Sequence, residues 1–256
     1  MLLIKWLVME NLLVSENREK LKFLITYPLF DHNTFDSRMR ELLSLDICSI
    51  FSFGKVQLHN IFILGKGSVG LVTLVKNRRK FFVLKIRRTD ANRINMYDEV
   101  VYQSLANSIG IGPFLVNYSE NFILMEFVRG LNILDWYGQK NTEIDRILKC
   151  TISILEQCFL LDCLKLDHGQ LNRTDRHIII SKEGNPTILD FETSSTRRRP
   201  SNVTSISQGI FLHGPIFSRL KGTIDNDRSH SIRCIKDYKM DMRREKFEKI
   251  LSLFRI

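Results

Sequence analysis

The stretch ILGKGSVGLVTLV, residues 63–75, limits the possible folds more than any other segment. Gly65, Gly67 and Gly70 follow the spacing G-x-G-x-x-G between two apolar runs. This spacing either opens a helix in a dinucleotide-binding unit or lies in a strand hairpin that covers phosphates. After Gly70 the sequence is rich in β-branched and aromatic residues, with KNRRK as a turn. We therefore predict a hairpin, although glycine is also the usual residue of an ordinary tight turn.

Composition indicates a globular protein. The 256 residues are 44% hydrophobic and 26% charged, enough for one large domain or two small lobes. The five cysteines are odd in number and form no C-x-x-C pair, which predicts reduced thiols in a cytoplasmic protein. The apolar start MLLIKWLVMENLLV is too short to span a bilayer, so we expect it to pack in a core and expect no membrane partner.

The charge of +10 is concentrated towards the end of the chain. From Arg197 onward there are fourteen Lys and Arg against six Asp and Glu, so this region carries +8. Such a region favours an anionic partner, RNA or a ribonucleoprotein, or is a solvated basic surface.

The order of elements predicts an α+β protein with strands first and helices later. An Asp- or Asn-capped helix is expected in DHNTFDSRMRELLSL, and strands from about Gln57 to Arg87. A second helix, capped near Thr89 or Asp90 and ended by Gly110, has apolar residues at helical spacing. These residues are Ile94, Tyr97, Val101 and Leu105.

The second half of the chain reads as mostly helical. NFILMEFVRG returns to a strand, and TEIDRILKCTISILEQCFLLDCL is expected to be a long buried helix. RHIIIS and PTILDFE form a strand pair through the turn KEGN, and DYKMDMRREKFEKILSLF is a basic amphipathic helix.

One lysine and one carboxylate are expected near the glycine hairpin. Strand alternation in KFFVLKIRR places Val83 and Lys85 on one face, and an inward lysine in an apolar strand requires a partner. We expect that partner to be Glu99 on the following helix. Asp98 competes because it falls nearer the apolar face, but its side chain is shorter. The alternatives are a Lys85 that points to water and a solvated Glu99.

These motifs together resemble a protein kinase, most closely the small archaeal members of the kinase-like superfamily, which are similar to the RIO kinases. The matching segments are GKGSVGLV, VLK, DEVVYQSL, FILMEFVRG, HGQLNRTD and ILDFE, which extend from about Gln57 to Glu192. The resemblance implies a bilobal fold with ATP between the lobes and Mg²⁺ held by Asp190, in the place of the Asp-Phe-Gly motif. It also implies nucleotide contacts from the hairpin, the strands and the hinge, the latter through backbone groups of MEFV. The residues are Gly65, Gly67, Gly70, Val72, Val83, Lys85, Met125, Glu126 and Val128.

Two positions depart from the kinase pattern. His168-Gly169-Gln170 has an amide where kinases have the catalytic Asp, and Gln170 can orient a hydroxyl group but cannot accept a proton at neutral pH. The second metal-binding residue is Asp175 if five residues are counted from Gln170, and His177 if the position before the strand IIIS is counted. Glu192 also replaces the glycine of Asp-Phe-Gly.

We therefore expect three segments: an N-terminal extension at 1–50, a kinase-like N-lobe at 51–130 and a compact helical C-lobe at 131–256. The expected activity is ATP- and Mg²⁺-dependent phosphoryl transfer to Ser or Thr of a protein substrate, with Gln170, Lys85 and Glu99 in the catalytic site. RRRPS makes Ser201 a candidate for self-modification, or is a basic polar loop. The alternative function is a nucleotide-regulated pseudokinase scaffold for RNA or protein.

Overall fold

The computed structural model describes residues 10–78 and 80–255, so most of the apolar start lies outside the described residues. The chain is a mixed α+β protein whose residues group into two compact units. The first contains the residues up to 101 together with 114–127, and the second contains 102–113 and the residues from 128 onward. The predicted boundaries at 50 and 130 stay predictions.

The first unit is built on an antiparallel sheet. Its order is β1-β2-β6-β7-β9-β8, with β5 paired to β6. Strands β3 and β4 form a separate hairpin. The elements of this unit are β1 (Glu10–Asn11), α1 (Arg18–Thr26), α2 (His32–Ser44), β2 (Ser49–Ser52), β3 (Val56–Leu58), β4 (Ile61–Ile63), β5 (Gly65–Lys66), β6 (Gly70–Asn77), β7 (Lys80–Arg87), the first residues of α3 (Tyr97–Ser108), β8 (Leu115–Tyr118) and β9 (Phe122–Glu126). The remainder of α3, from residue 102, belongs to the second unit.

The predicted N-terminal helix is confirmed as α2. Its N-cap is Asp31, whose carboxylate accepts a hydrogen bond from the Thr34 N–H at 2.7 Å. Such a side chain satisfies one of the open N–H groups in the first turn of a helix. Helices α1 and α2 bury their apolar residues in the same core as β6, β7 and β9, so the segment before residue 50 contributes to the core of the first unit.

The helix α3 begins later than expected. A cap near Thr89 or Asp90 is wrong, because Asp90 binds the Arg88 guanidinium and the Thr89 N–H donates to the Tyr27 carbonyl. The helix instead starts at Tyr97, whose N–H donates to the Asn95 side chain at 3.1 Å. Gly110 follows its end in the left-handed region, as expected of a residue that stops a helix.

The second unit is mostly helical and contains the long buried helix and the strand pair predicted from the sequence. Strands β11 and β12 pair through the turn at residues 181–185, and β10 adds a third strand. The elements are β10 (Leu131–Asn132), α4 (Ile133–Tyr137), α5 (Ile144–Cys163), α6 (Thr174–His177), β11 (Ile178–Ile180), β12 (Pro186–Ile188), α7 (Asn202–Phe211), α8 (Pro215–Leu220), α9 (Arg228–Met240) and α10 (Arg244–Leu251).

The single basic helix predicted at the end of the chain is two helices. Helix α9 ends at Met240, and the backbone of Asp241 is extended. The Asp241 carboxylate accepts hydrogen bonds from the Arg243 side chain at 2.6–2.9 Å. The guanidinium of Arg199 binds the carbonyl oxygens of Lys239 and Met240. Capping of these carbonyls by a cation stabilises the end of α9 at this point. Among the described residues, no helix is long and apolar enough to span a bilayer.

Candidate functional site

The glycine segment forms the predicted hairpin. Strand β5 pairs with β6 so that Gly65 faces Val72, and the Gly67 N–H donates to the Gly70 carbonyl at 2.8 Å. A Cβ at Gly70 would lie 3.2 Å from two methylene carbons of Lys85. The bare backbone at this position therefore makes room for the lysine side chain on the neighbouring strand.

Lys85 and Glu99 form a buried ion pair within the first unit. The Lys85 Nζ lies 2.7 Å from the Glu99 Oε1, and the side chains are 6% and 3% exposed. Lys85 does not point to water, and Glu99 is not solvated. Asp98 is exposed, so its competing assignment is wrong. Buried charge pairs need excellent geometry to be tolerated, which marks this pair as a candidate functional group.

The predicted nucleotide-contacting strand residues lie on the face of the sheet that carries Lys85. Val72 and Lys85 face each other across β6 and β7, and Val83 faces Met125 across β7 and β9. All but Lys85 are partly exposed. Helix α3 packs against this face through a small apolar cluster. Its buried members are Val69, Met96, Val100 and Ile123.

The predicted hinge residues differ in which backbone groups they can offer. The N–H of Glu126 donates to the Phe114 carbonyl at 2.9 Å, and its carboxylate accepts from the Phe114 N–H at 3.3 Å. The carbonyl oxygen of Glu126 is therefore the backbone group with which this residue could bind the adenine base of a nucleotide. Val128 is half-buried and belongs to the second unit.

In the second unit, His168 supports the segment that carries Asp190. Its Nε2 lies 2.9 Å from the Leu189 carbonyl, and its backbone N–H donates to the Asn202 side chain at 2.9 Å. Burial lowers the pKa of His168 to about 4. The ring is therefore neutral at pH 7, and Nε2 carries the proton that Leu189 accepts, which fixes the residue before Asp190.

Asp190 lies beside His177. The Asp190 backbone is in the left-handed region, with φ of 68°, and its side chain is 38% exposed. The His177 Nδ1 is 3.7 Å from the Asp190 Oδ2, and the His177 side chain is 5% exposed. The Glu192 carboxylate lies within 4.8 Å of the Asp190 carboxylate. Asp175 is exposed on α6. The structure thus places His177, of the two alternatives, next to Asp190.

Gln170 follows a glycine that cannot be replaced without strain. Gly169 has φ of 85°, and a Cβ there would lie 2.6 Å from the Arg198 guanidinium and 3.0 Å from the Thr193 carbonyl. Gln170 is half-buried, and its carbonyl accepts the Arg173 N–H at 2.9 Å. This turn fixes the backbone of Gln170 in the loop that follows His168.

Two buried acids that were not predicted hold the loop beyond Glu192. Asp167 accepts hydrogen bonds from Arg198 and from both the N–H and the hydroxyl of Ser201, each at 3.0 Å. Asp162 binds the start of α7 and the Tyr238 hydroxyl. An isolated acid in the apolar run FLLDCL was the sequence signal for Asp162. Ser201 is therefore engaged within the chain, as are two of the three arginines before it.

No family model matches this chain, and no curated protein matches its sequence. The functional argument therefore depends on the geometry of the two units.

Proposed function

We propose that this protein transfers the terminal phosphoryl group of ATP to a Ser or Thr hydroxyl of a protein, with Mg²⁺, as a compact atypical kinase. The observation that carries the proposal is the buried Lys85–Glu99 pair beside the glycine hairpin. A purely structural pair at this place gives little stability, because the cost of desolvating two charges offsets their attraction. A triphosphate gives a reason for a buried ammonium beside the glycine hairpin.

Each predicted site residue of the first unit would have a distinct role in binding ATP. The Lys85 ammonium would neutralise phosphate oxygens, and Glu99 would hold it in one rotamer. The hairpin amides would approach the phosphates because the glycines carry no side chains. Val72, Val83 and Met125 would contact the base, and the Glu126 carbonyl would accept one of its hydrogen bonds.

The donors around Asp190 fit a divalent cation. Asp190 and Glu192 offer the oxygen ligands that Mg²⁺ prefers, and His177 offers an imidazole nitrogen. When bound, the cation would neutralise charge on the phosphates. His168 would keep Asp190 in position through the Leu189 carbonyl.

Gln170 would orient the acceptor hydroxyl without taking its proton. General-base catalysis contributes typically about 10²- to 10⁴-fold, so the rate is expected to be low. The larger contributions to phosphoryl transfer are positioning and charge neutralisation, and Gln170 leaves these intact.

The test is transfer of label from γ-labelled ATP to a mixture of Ser- and Thr-containing peptides and to the chain itself. Lys85→Ala and Asp190→Ala are each expected to reduce transfer at least about 100-fold. Lys80→Ala, at the exposed start of the same strand, is the matched control and is expected to retain it. Transfer by wild type that survives both substitutions would refute the proposal.

Gln170 favours a second function, a nucleotide-regulated scaffold for RNA or protein. In that case ATP raises the melting temperature of the wild type and not of Lys85→Ala, while no label is transferred. A role in RNA binding would depend on the remaining basic residues, because Arg198 and Arg199 bind Asp167 and the end of α9. Retention of RNA should then fall steeply with salt.

A further inference from the structure

The end of α1 contacts the glycine hairpin directly. Tyr27 follows this helix, and its hydroxyl oxygen accepts a hydrogen bond from the Lys66 ammonium at 2.6 Å. The same ammonium lies 4.8 Å from the centre of the Tyr27 ring. Because Lys66 stands between Gly65 and Gly67, this contact is made to the hairpin itself.

Arg88 makes a second connection between Tyr27 and the hairpin. Its guanidinium carbon lies 5.2 Å from the centre of the Tyr27 ring, and its Nη1 donates to the Gly67 carbonyl at 3.0 Å. The backbone N–H of Arg88 donates to the Val69 carbonyl at 2.8 Å. Asp90 fixes the guanidinium through two hydrogen bonds of 2.6 and 2.8 Å. Tyr27 thus contacts two cations that both belong to or bind the hairpin.

Tyr27 is itself held in place. Its carbonyl accepts the Thr89 N–H at 2.9 Å, and its ring lies edge-on to Phe23, with 5.4 Å between ring centres. The preceding helix packs into the core of the first unit. The aromatic ring is therefore a fixed support rather than a mobile side chain.

A glycine-rich turn loses much conformational freedom when a ligand orders it, and a turn that is ordered beforehand binds more tightly. We propose that Tyr27 is a positioning residue for the glycine hairpin: it restrains the hairpin through Lys66 and Arg88 and thereby raises the affinity for nucleotide. The effect on affinity rests on the proposed function, whereas the restraint of the hairpin does not.

Backbone hydrogen exchange of the nucleotide-free protein tests the restraint. Tyr27→Phe removes the hydroxyl and keeps the ring, and Tyr27→Ala removes both. The N–H groups of Gly67 and Arg88 are expected to exchange faster in Tyr27→Phe and faster still in Tyr27→Ala. Tyr118→Phe, on a partly exposed tyrosine of β8, is the matched control and should exchange like wild type. Equal exchange of these amides in all four proteins would overturn the proposal.

Nucleotide affinity, measured by calorimetry with a non-hydrolysable ATP analogue, tests the consequence. Tyr27→Phe is expected to weaken binding about 3- to 10-fold, since a partly exposed hydrogen bond to a charged group is lost. In a protein that already carries Lys66→Met, Tyr27→Phe should not weaken nucleotide binding further, because the hydroxyl has no ammonium to bind. At saturating ATP the rate of transfer should stay unchanged, which separates positioning from catalysis.

Affinity that is unchanged or tighter in Tyr27→Phe and Tyr27→Ala would overturn the consequence for binding. If the wild type binds no nucleotide, the proposed function fails, and the exchange experiment still decides whether Tyr27 restrains the hairpin.

Discussion

At the scale of single residues, Lys85 and Glu99 are the two charges whose removal has the clearest expected result. Glu99→Gln leaves a buried ammonium beside a neutral amide, and breaking a buried pair in this way costs about 3–5 kcal/mol. The free energy of unfolding, measured by denaturant titration, should fall by this amount. Asp98→Asn changes the exposed acid next to it and should stay within about 0.5 kcal/mol of wild type.

The double variant Lys85→Met/Glu99→Leu separates stability from function. It removes both charges and fills the space with apolar groups, so most of the lost stability should return. The double variant should not bind nucleotide, because the Lys85 ammonium is gone. A double variant that binds ATP as wild type does would contradict the role of Lys85.

His177 leads to a prediction about metal selectivity. An imidazole nitrogen and carboxylates suit Mn²⁺ and later transition metals better than Mg²⁺, which prefers oxygen ligands. The separation of 3.7 Å between His177 and Asp190 exceeds a hydrogen bond and is compatible with two ligands of one ion. We expect Mn²⁺ to raise the melting temperature more than Mg²⁺, and His177→Asn to shift this preference towards Mg²⁺.

The control for this experiment is Asp175→Asn, on the exposed face of α6. It should leave the preference for metal as in wild type. If Asp175→Asn loses the metal-dependent stabilisation and His177→Asn keeps it unchanged, the metal is assigned to Asp175 instead.

At the scale of elements, the sequence predicted the glycine hairpin, the strands β3 to β7, β9 and the pair β11–β12. It missed β1, β2, β8 and β10, and it misjudged the rotation of α3. Of the four apolar residues with helical spacing, Ile94 lies before the helix, Tyr97 and Val101 are exposed by 45% and 54%, and Leu105 is half-buried. The buried face instead includes the polar residues Glu99 and Gln103. Glu99 pairs with Lys85, and the Gln103 amide donates to the Pro113 carbonyl at 2.5 Å. A count of apolar residues cannot detect a helix orientation that is set by polar contacts.

The link between α5 and α7 depends on one buried acid. Asp162 accepts hydrogen bonds from the Asn202 N–H and side-chain amide, the Val203 N–H and the Tyr238 hydroxyl, at 2.8–3.2 Å. Burial raises the pKa of Asp162, and these hydrogen bonds oppose that rise. The carboxylate therefore serves as a multiple acceptor at the start of α7.

Asp162→Asn replaces an acceptor oxygen by a donor and leaves at least one buried N–H or O–H group without an acceptor. The expected loss is about 1–3 kcal/mol in the free energy of unfolding, measured by denaturant titration. Asp145→Asn, exposed in the first turn of the same helix, should cost no more than about 1 kcal/mol. Equal losses in the two variants would show that the contacts of Asp162 contribute nothing specific.

At the scale of the whole molecule, the parts that the sequence missed are those fixed by contacts between distant residues. Local pattern was enough for the β6–β7 hairpin and for the pair β11–β12. It was not enough for Tyr27, which reaches Lys66 across 39 positions, or for Arg199, which reaches Lys239 across 40. Such contacts are made by side chains whose neighbours in the sequence carry no signal of them.

His168 makes the stability of the protein depend on pH. Its pKa is lowered to about 4 in the folded state by burial, against an ordinary value of 6.5. Between these values the unfolded chain binds a proton that the folded chain does not. The contribution of His168 to the free energy of unfolding is therefore fully present above pH 6.5 and is lost as the pH drops towards 4. The loss from this group is roughly 3 kcal/mol. Unfolding by denaturant at pH 7, 5.5 and 4.5 measures it.

The carboxylates also titrate below pH 5, so the decisive quantity is the difference between wild type and a variant that lacks this imidazole. In His168→Gln the fall in stability between pH 7 and 4.5 should be smaller than in wild type, whatever the stability of the variant at pH 7. His213→Gln removes an exposed imidazole and should keep the slope of wild type. If His168→Gln and wild type lose stability in parallel, the ring is charged in the folded protein. The hydrogen bond to the Leu189 carbonyl would then not depend on a neutral imidazole.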